Sequence, residues 1–322
     1  MAESMSVELD AQYRQLREEC GLLDRSARGK LLVTGPDAAE YLQGQLTNDV
    51  ATLEPGQGRL AGFCSAKGRL QASFVVWRAG PDELRLACAR GVLPATLKRL
   101  SMFVLRAKCK LDDASAELAL QGLAGASAQA AVGTLSPWQT HEVDGATLIR
   151  LPDAAGLPRA LRIAPAEAAL AGPAAASGSW QWLEVQSGVP LIEPATVDAF
   201  VPQMLNFELI GGVDFRKGCY PGQEIVARSQ YRGTIKRRMF LFDIDAAASA
   251  GQEVFQASDP AQPAGMVVNA AARPDGSGSS ALIEVKLAAL ADGSLHLGAA
   301  DGPALALRPL PYPVPSEAAQ PA

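Results

Sequence analysis

The most informative stretch of the sequence is Lys217-Gly218-Cys219-Tyr220-Pro221-Gly222-Gln223-Glu224, which we call the motif. Glycine on either side of the cysteine allows positive φ angles and a close approach of the backbone to a ligand. The proline and a helix-compatible run up to Arg228 place the cysteine just before a helix N-terminus, where free N–H groups stabilise anions. With Arg216 and Lys217 beside it, this position favours the thiolate form of Cys219. The motif therefore predicts a functional cysteine in a loop that holds an anionic small molecule.

The remaining cysteines and the histidines carry no comparable signal. Cys20, Cys88 and Cys109 lie in apolar periodic runs, where small buried side chains are expected. No two of the five cysteines have a CxxC spacing, so neither a cysteine zinc site nor a disulfide scaffold is expected. The two histidines, His141 and His296, supply almost no material for a Cys–His pair or a histidine-rich metal site. We therefore predict no metal site and no hydrolytic chemistry.

The chain is acidic overall but has one basic segment. Its net charge of −5 argues against a general nucleic-acid binder. Between Arg216 and Arg238, seven basic residues stand against the single acid Glu224, a local charge of +6 that leaves −11 for the rest. Such a segment suits the attraction of an anion to one place. The alternative interpretation is that these charges lie on a solvent-exposed face of a strand and helix and bind no ligand.

The first two thirds of the chain have the pattern of an α+β protein, with an antiparallel sheet and helices on one face. Strands are predicted at 29–34, 60–64, 69–77 and 83–89, with a hairpin turn at 65–68, and further strands within 111–123 and 146–163. Helices are predicted at 7–20, 36–46 with Pro36 at the first helical position, 92–103, 124–132, 164–176 and 180–188.

The remainder of the chain has the pattern of a small β-barrel. Short runs of branched and aromatic residues between turns predict strands at 238–244, 253–256, 265–269, 281–285 and 304–307. The Pro-rich tail from Pro309 is expected to be extended and partly mobile. We place a domain boundary between residues 232 and 233. No apolar run is long enough for a membrane span and the N-terminus has no signal-like pattern, so a cytoplasmic protein is expected.

The motif closely resembles the signature of the YgfZ family, folate-binding proteins related to the aminomethyltransferase, or T-protein, of the glycine cleavage system. Three more stretches resemble the family in the expected order: a first block at 41–50, a second at 61–70 and a third at 200–206. The resemblance covers roughly residues 25–240. It implies a T-protein-like α+β fold of two intertwined subdomains and a C-terminal barrel around a central opening, with tetrahydrofolate bound there.

The resemblance also implies a role and a set of site residues. The role is to support the assembly or repair of iron–sulfur enzymes, including tRNA-modifying ones, which would be partners beside folate; no membrane or DNA partner is expected. Lys217 and Cys219 match the functional lysine and cysteine of the family. The residues expected to contact the folate are Arg216, Gly218, Tyr220, Gly222, Gln223, Glu224, Arg228, Asn48 and Gln186.

The chain differs at two places from the aminomethyltransferases to which this family is related. Ala72 and Ser73 stand where aminomethyltransferases carry an acidic pair, so the acid/base group of the transfer reaction is missing. Gln186 stands where the T-protein has a pterin-binding glutamate. A classical turnover enzyme is therefore not expected, whereas a folate pocket remains compatible with the sequence.

Two alternatives stay open beside the folate-binding accessory protein. One is a folate-dependent aminomethyl or one-carbon transferase. The other is an RNA-binding module that uses the basic segment with Tyr220 and Tyr231 as stacking aromatics. The sequence leaves open which client enzymes are served, which folate form is bound and whether Cys219 is a nucleophile, a transient cluster ligand or a redox thiol. A monomer is favoured.

Overall fold

The computed structural model describes residues 21–22, 28–168, 178–231, 235–292 and 294–315. Its strands are β1 Gly21–Leu22, β2 Arg28–Thr34, β3 Gly58–Cys64, β4 Leu70–Gly80, β5 Glu83–Ala89, β6 Lys110–Asp113, β7 Leu118–Ala124, β8 Thr140–Val143, β9 Ala146–Ala154, β10 Leu157–Pro165, β11 Arg237–Ile244, β12 Glu253–Gln256, β13 Asp259–Ala272, β14 Ser279–Lys286, β15 Leu295–Leu297 and β16 Leu305–Arg308. Its helices are α1 Ala38–Gln43, α2 Leu93–Ser101, α3 Gly125–Val132, α4 Ser179–Gln186, α5 Gln223–Tyr231 and α6 Leu287–Asp292. The mixture of helices and antiparallel sheets confirms the predicted α+β class. The helix predicted at 7–20, with Cys20, lies outside the described residues.

The first sheet has five antiparallel strands in the order β3-β4-β5-β2-β6. Strands β3 and β4 form the predicted hairpin, whose turn is closed by a hydrogen bond from the Gly68 N–H to the Ser65 carbonyl (2.9 Å). Helices α1 and α2 pack on the sheet, and the Tyr41 hydroxyl of α1 donates to the Leu100 carbonyl of α2 (2.6 Å). The strand predictions for this region are therefore confirmed.

Helix α1 is shorter than predicted. It begins at Ala38 with Asp37 at the N-cap, so Pro36 precedes the helix instead of occupying its first position. It ends at Gln43, because Leu46 turns away to form an antiparallel bridge with Phe63 of β3. This early ending leaves the C-terminal carbonyls of α1 without partners inside the helix.

The second sheet has the order β1-β7-β10-β9-β8 and carries α3, whereas α4 packs between this sheet and strands β13 and β14 of the third sheet. The helix predicted at 164–176 is wrong at its start, because Ala164 and Pro165 continue β10 by pairing with Ala119 and Leu118 of β7. Residues 166–168 form a turn, and 169–177 lie outside the described residues. Strand β8 was not predicted.

The third sheet has the order β15-β12-β13-β14-β11-β16 and curls into a half-barrel, where a small barrel was predicted. Its two edge strands are linked by a bridge between His296 and Ala304 and by a hydrogen bond from the Leu297 N–H to the Pro303 carbonyl (2.9 Å). Strand β13 is longer than predicted, and α6 was not predicted. Among the described residues, no helix has the length and hydropathy that a membrane span requires.

The chain after the barrel is anchored through Tyr312. The Tyr312 hydroxyl donates to the Gly188 carbonyl just after α4 (2.7 Å), and burial raises the pKa of Tyr312 to about 12. The described part of the Pro-rich tail is therefore held against the second half of the α+β region. The boundary between residues 232 and 233 stays a prediction, since 232–234 lie outside the described residues.

Candidate functional site

The motif is the point at which the three sequence blocks meet in space. Lys217 donates to main-chain carbonyls that follow or end α1, in the first block. Gly222 packs on the hairpin turn of the second block. Gln203 of the third block donates its Nε2–H to the Val226 carbonyl of α5, the helix that follows the cysteine (2.8 Å). Stretches far apart in the sequence therefore build one structure around Cys219.

Lys217 is a strut between the motif and the first block. Its ammonium donates to the carbonyls of Gln43 and Leu46 (2.6 Å to Leu46), where the end of α1 leaves acceptors unpaired. It also lies 5.2 Å from the centroid of the Tyr220 ring. Burial lowers the pKa of Lys217 from 10.5 to about 8, although acidic neighbours such as Asp49 oppose this shift. The ammonium is thus directed into the protein.

Asn48 and Thr47 hold the loop that precedes the motif. Asn48 Nδ2 donates to the carbonyls of Leu60 (2.7 Å) and Gly211 (2.6 Å). Thr47 Oγ1 donates to the carbonyl of Gly212 (2.6 Å). The N–H groups of the Asn48 amide therefore serve the protein backbone, and in this structure Asn48 positions the loop.

The turn of the motif lies directly against the hairpin turn of the second block. Gly222 has a φ of +79°, and a Cβ at this position would lie 2.6 Å from the Cα of Gly68 and closer still to the carbonyl of Ser65. Gly68 has a φ of +67° and faces Ile225 of α5. Gly218 differs, because its φ is not positive and a Cβ there would meet no atom within 4 Å. The positive φ expected at both glycines is therefore found at Gly222 only.

Cys219 presents an exposed thiol in the loop before α5, which begins at Gln223 as predicted. Cys64 and Cys88 are buried, and burial raises the pKa of each of these thiols to about 12. Cys109 is half-buried. Of the cysteines in the described ranges, Cys219 alone is exposed, so it is the thiol best placed to meet a partner or a reagent.

The other predicted residues of this region are divided between surface and interior. Arg216 is 94% exposed and lies 3.8 Å from Asp214. Glu224 and Arg228 are exposed on α5. Tyr220 is buried beneath Lys217, and burial raises its pKa.

The basic segment carries less free charge than its sequence indicates. Arg238 and Glu208 form a buried ion pair (2.5 Å) with side chains only 3% and 4% exposed. Burial raises the pKa of Glu208, and the arginine opposes this shift. Arg237 pairs with Glu284 of β14 through two contacts, one of 2.9 Å. The predicted local charge of +6 is therefore an overestimate, because β11 brings two of its arginines to acids distant in the sequence.

A cavity of about 30 Å³ lies between the two five-stranded sheets. It is lined by residues from both sheets, from α4 and from the connections around them: Arg28, Leu60, Ser73, Phe74, Val75, Trp138, Leu151, Arg159, Leu161, Glu184, Ser187, Val189 and Pro190. None of the folate-contacting residues expected from the sequence is in this lining, to which α4 contributes Glu184 and its C-cap contributes Ser187, rather than Gln186. The polar lining was missed because its members come from distant parts of the chain.

The polar groups of the cavity form a charged cluster. Arg28 pairs with Glu184 (2.5 Å), and Arg28 Nε is buried without a hydrogen-bond partner among the described residues. Arg159 is buried, stacks 5.4 Å from the Trp180 ring centroid and has its pKa lowered to about 10 by burial. Two guanidinium groups, one of them with an orphaned donor, and a carboxylate suit a ligand with both acceptors and donors.

An apolar cluster joins the cavity to the motif. Leu60, Trp138 and Val189 line the cavity and also pack with Val213 and Val226, which flank the cysteine in the chain. Trp138 has a φ of +71°, a strained conformation for a bulky residue that functional sites often contain. The candidate site therefore has two connected parts, an interior cavity and an exposed cysteine loop.

The positions of the missing acidic pair are occupied by structural residues. Ala72 is fully buried in β4. Ser73 lines the cavity, and its hydroxyl donates to the Pro190 carbonyl (3.2 Å) and accepts from the Ile192 N–H (3.0 Å). Neither side chain offers a carboxylate. Among the residues that the structure describes, no three His, Cys, Asp or Glu side chains come together as a metal site would need.

The buried ammonium of Lys217 is expected to make the stability of the protein depend on pH. In the unfolded chain its pKa returns to about 10.4, above the folded value of about 8. At pH values between these two pKa values, Lys217 binds more protons in the unfolded state than in the folded state. This residue therefore makes the free energy of unfolding rise with pH above about 8 and does not change it with pH below about 8. Urea unfolding at pH 7 to 10.5 should therefore show a wild-type minus Lys217→Met difference that increases with pH, while the exposed Lys236→Met control follows the wild type. Parallel curves for wild type and Lys217→Met would contradict the buried ammonium.

Comparison with known proteins places the chain in a family. The model of the GCVT N-terminal domain matches residues 2–151. The chain is 33% identical to tRNA-modifying protein YgfZ of Klebsiella pneumoniae over 301 residues, 87% of this chain and 89% of the relative. It is 37% identical to the protein of the same name from Edwardsiella ictaluri over 233 residues, 65% of this chain and 66% of the relative.

A solved structure shows which fold these residues share. The crystal structure of glycine cleavage system aminomethyltransferase T from Bartonella henselae superposes with a TM-score of 0.72 at 19% identity, over 94% of this chain and 89% of that one. The expected T-protein-like fold is thereby confirmed. With that fold, and with a match of 33% identity across nearly the whole length of a named relative, the chain belongs to the YgfZ family.

Proposed function

We propose that the protein binds a tetrahydrofolate in the cavity between its two five-stranded sheets and uses Cys219 to support the assembly or repair of iron–sulfur enzymes, tRNA-modifying enzymes among them. The observation that carries the proposal is the meeting of three distant blocks around one exposed cysteine, above an apolar cluster shared with a charged cavity. The name of the relatives supports the link with tRNA modification.

The cavity lining has the chemistry that a pterin requires. A pterin ring presents neighbouring N–H donors and a carbonyl acceptor on a flat aromatic system. Glu184 would accept from the donors, Arg28 Nε would donate to the carbonyl, and Trp138 would pack on the ring. A bound tetrahydrofolate would supply reduced-pterin nitrogens able to carry a one-carbon unit.

The cavity is too small for a pterin in this structure. Its volume is about 30 Å³, against the roughly 300–1,000 Å³ of small-molecule sites in proteins. A pterin enters only if the Arg28–Glu184 pair separates and exchanges its partner for the ligand. Binding therefore couples to a local rearrangement of this ion pair.

The thiol of Cys219 acts outside the cavity. It is exposed and does not line the cavity, so its natural target is a group carried by a partner protein. The strut from Lys217 and the packing of Gly222 hold the loop in place. Folate binding and thiol chemistry are thus assigned to different parts of one site.

A one-carbon transferase is the second candidate, favoured by the shared aminomethyltransferase fold. Against it stand Ala72, which is fully buried, and Ser73, whose hydroxyl is held by backbone groups. The RNA-binding module is less favoured, since Tyr220 is buried and Tyr231 makes an edge-on contact with Phe215 (5.8 Å). The accessory role is therefore the function that we propose.

Titration calorimetry with tetrahydrofolate tests the cavity. The wild type should bind, and Glu184→Gln should weaken binding about tenfold or more, because the carboxylate that accepts the pterin N–H groups is lost. Cys219→Ala should bind like the wild type, as should Glu253→Gln, a matched control at an exposed position of the barrel. Absence of binding to the wild type, or unchanged binding to Glu184→Gln, would rule out this folate site.

A further inference from the structure

A cluster of large apolar side chains is exposed just after α2. Met102 is 65% exposed, Phe103 47% and Leu105 87%, and Val197 across a groove is 39% exposed. We call these four residues the Met102 patch. Single exposed apolar residues are normal on protein surfaces, but several together mark an interaction site.

The backbone at the patch is strained in a way that displays an apolar side chain. Leu105 has a φ of +39°, in the left-handed region that bulky residues rarely adopt. Hydrogen bonds hold the turn around it, from the Val104 N–H to the Ser101 carbonyl (3.3 Å) and from the Ala107 N–H to the Val104 carbonyl (2.7 Å). The fold therefore keeps a leucine in solvent at an energetic cost, which is typical of a functional surface.

The patch has a basic border. Residues 98–110 contain five basic residues and no acid, in a chain whose net charge is −5. Four of them are exposed and make no ion pair with any described acidic side chain: Lys98, Arg99, Arg106 and Lys108. Lys110 pairs with Asp112 (2.9 Å). These uncompensated charges favour an acidic partner.

A groove runs between the patch and the turn at Pro194–Thr196. Its walls combine apolar residues, Val92, Ala95, Met102, Pro194 and Val197, with the basic Lys98 and Arg99. Methionine adapts its shape to different apolar partners, which suits a docking groove. The combination is an apolar channel with positive charge on one side.

We propose that this surface docks an acidic, amphipathic segment of a partner protein, whose apolar side chains enter the groove while its carboxylates meet the basic border. The charge of the border selects acidic partners, and the concave apolar groove selects a protein segment. A membrane would leave the groove unfilled, and RNA would leave Leu105 and Phe103 in water. This inference does not depend on folate binding, because the patch and the cavity have no lining residue in common.

Fluorescence anisotropy with a synthetic peptide tests the proposal. The probe is a helix with leucine on one face and glutamate on the other, labelled at one end. The wild type should bind it, and Met102→Ser/Leu105→Ser should weaken binding about tenfold or more, as hot-spot truncation does. The matched control is Leu307→Ser, which removes another exposed leucine, 53% exposed on the barrel, and should bind like the wild type.

Charge reversal makes the test independent of variant folding. Lys98→Glu/Arg99→Glu should lose the acidic peptide and gain binding to the same peptide with lysine in place of glutamate. Vesicles containing anionic phospholipid and a tRNA transcript are titrated in parallel. The proposal would be overturned if the wild type failed to bind the acidic peptide, or if Leu307→Ser lost as much binding as the patch variant. It would also be overturned if the patch bound vesicles or RNA instead of the peptide.

Discussion

Gly222→Ala is expected to lower the free energy of unfolding by about 2–4 kcal/mol, a large effect for the addition of one methyl group. The left-handed φ of +79° disfavours any L-residue with a side chain. The new Cβ would also meet the backbone of Ser65 and Gly68, which cannot move aside as a flexible side chain would. The motif would then separate from the second block, and the cysteine loop would lose its position.

Gly218→Ala is the matched control, since it adds the same methyl group on the other side of Cys219. Its φ is not positive and its Cβ would meet no atom within 4 Å, so its stability should stay within about 0.5 kcal/mol of the wild type. Urea unfolding followed by circular dichroism measures both variants. Equal effects of the two substitutions would show that the motif does not pack on the hairpin turn as described.

Short-range signals explain what could be predicted from the sequence. Strand β5 is specified by a short run of apolar residues, and the hairpin of β3 and β4 by two such runs joined by a Gly-containing turn, so their prediction needed only neighbouring residues. The same holds for most barrel strands and for helix α5 after Pro221. The motif itself directed attention to Cys219, and the structure places that residue in an exposed loop.

Long-range partners explain what could not be predicted. Arg28 and Glu184 are 156 residues apart, and nothing near either one indicates that they share a cavity. Lys217 was expected to favour the thiolate of Cys219, yet its ammonium contacts carbonyls more than 170 residues earlier in the chain. In the sequence Arg238 has the appearance of a free surface charge, but in the structure β11 places it against Glu208. Each of these depends on tertiary packing, which no local pattern reports.

Cys219→Ser should abolish the function while leaving the fold intact. The serine keeps the size and exposure of the side chain, so the unfolding midpoint and tetrahydrofolate binding should match the wild type. The hydroxyl cannot supply a thiolate, which is the form that attacks, ligates metal or exchanges disulfides. The matched control is Cys109→Ser, which changes a half-buried cysteine outside the motif.

The decisive measurement uses a strain that lacks the natural protein and carries wild type, Cys219→Ser or Cys109→Ser at equal abundance. The quantity measured is the nucleoside made by an iron–sulfur tRNA-modifying enzyme, determined by mass spectrometry of purified tRNA. We expect Cys219→Ser to give no more of this nucleoside than the empty strain, and the wild type and Cys109→Ser to restore it. Restoration by Cys219→Ser to the wild-type amount would contradict a function based on this cysteine.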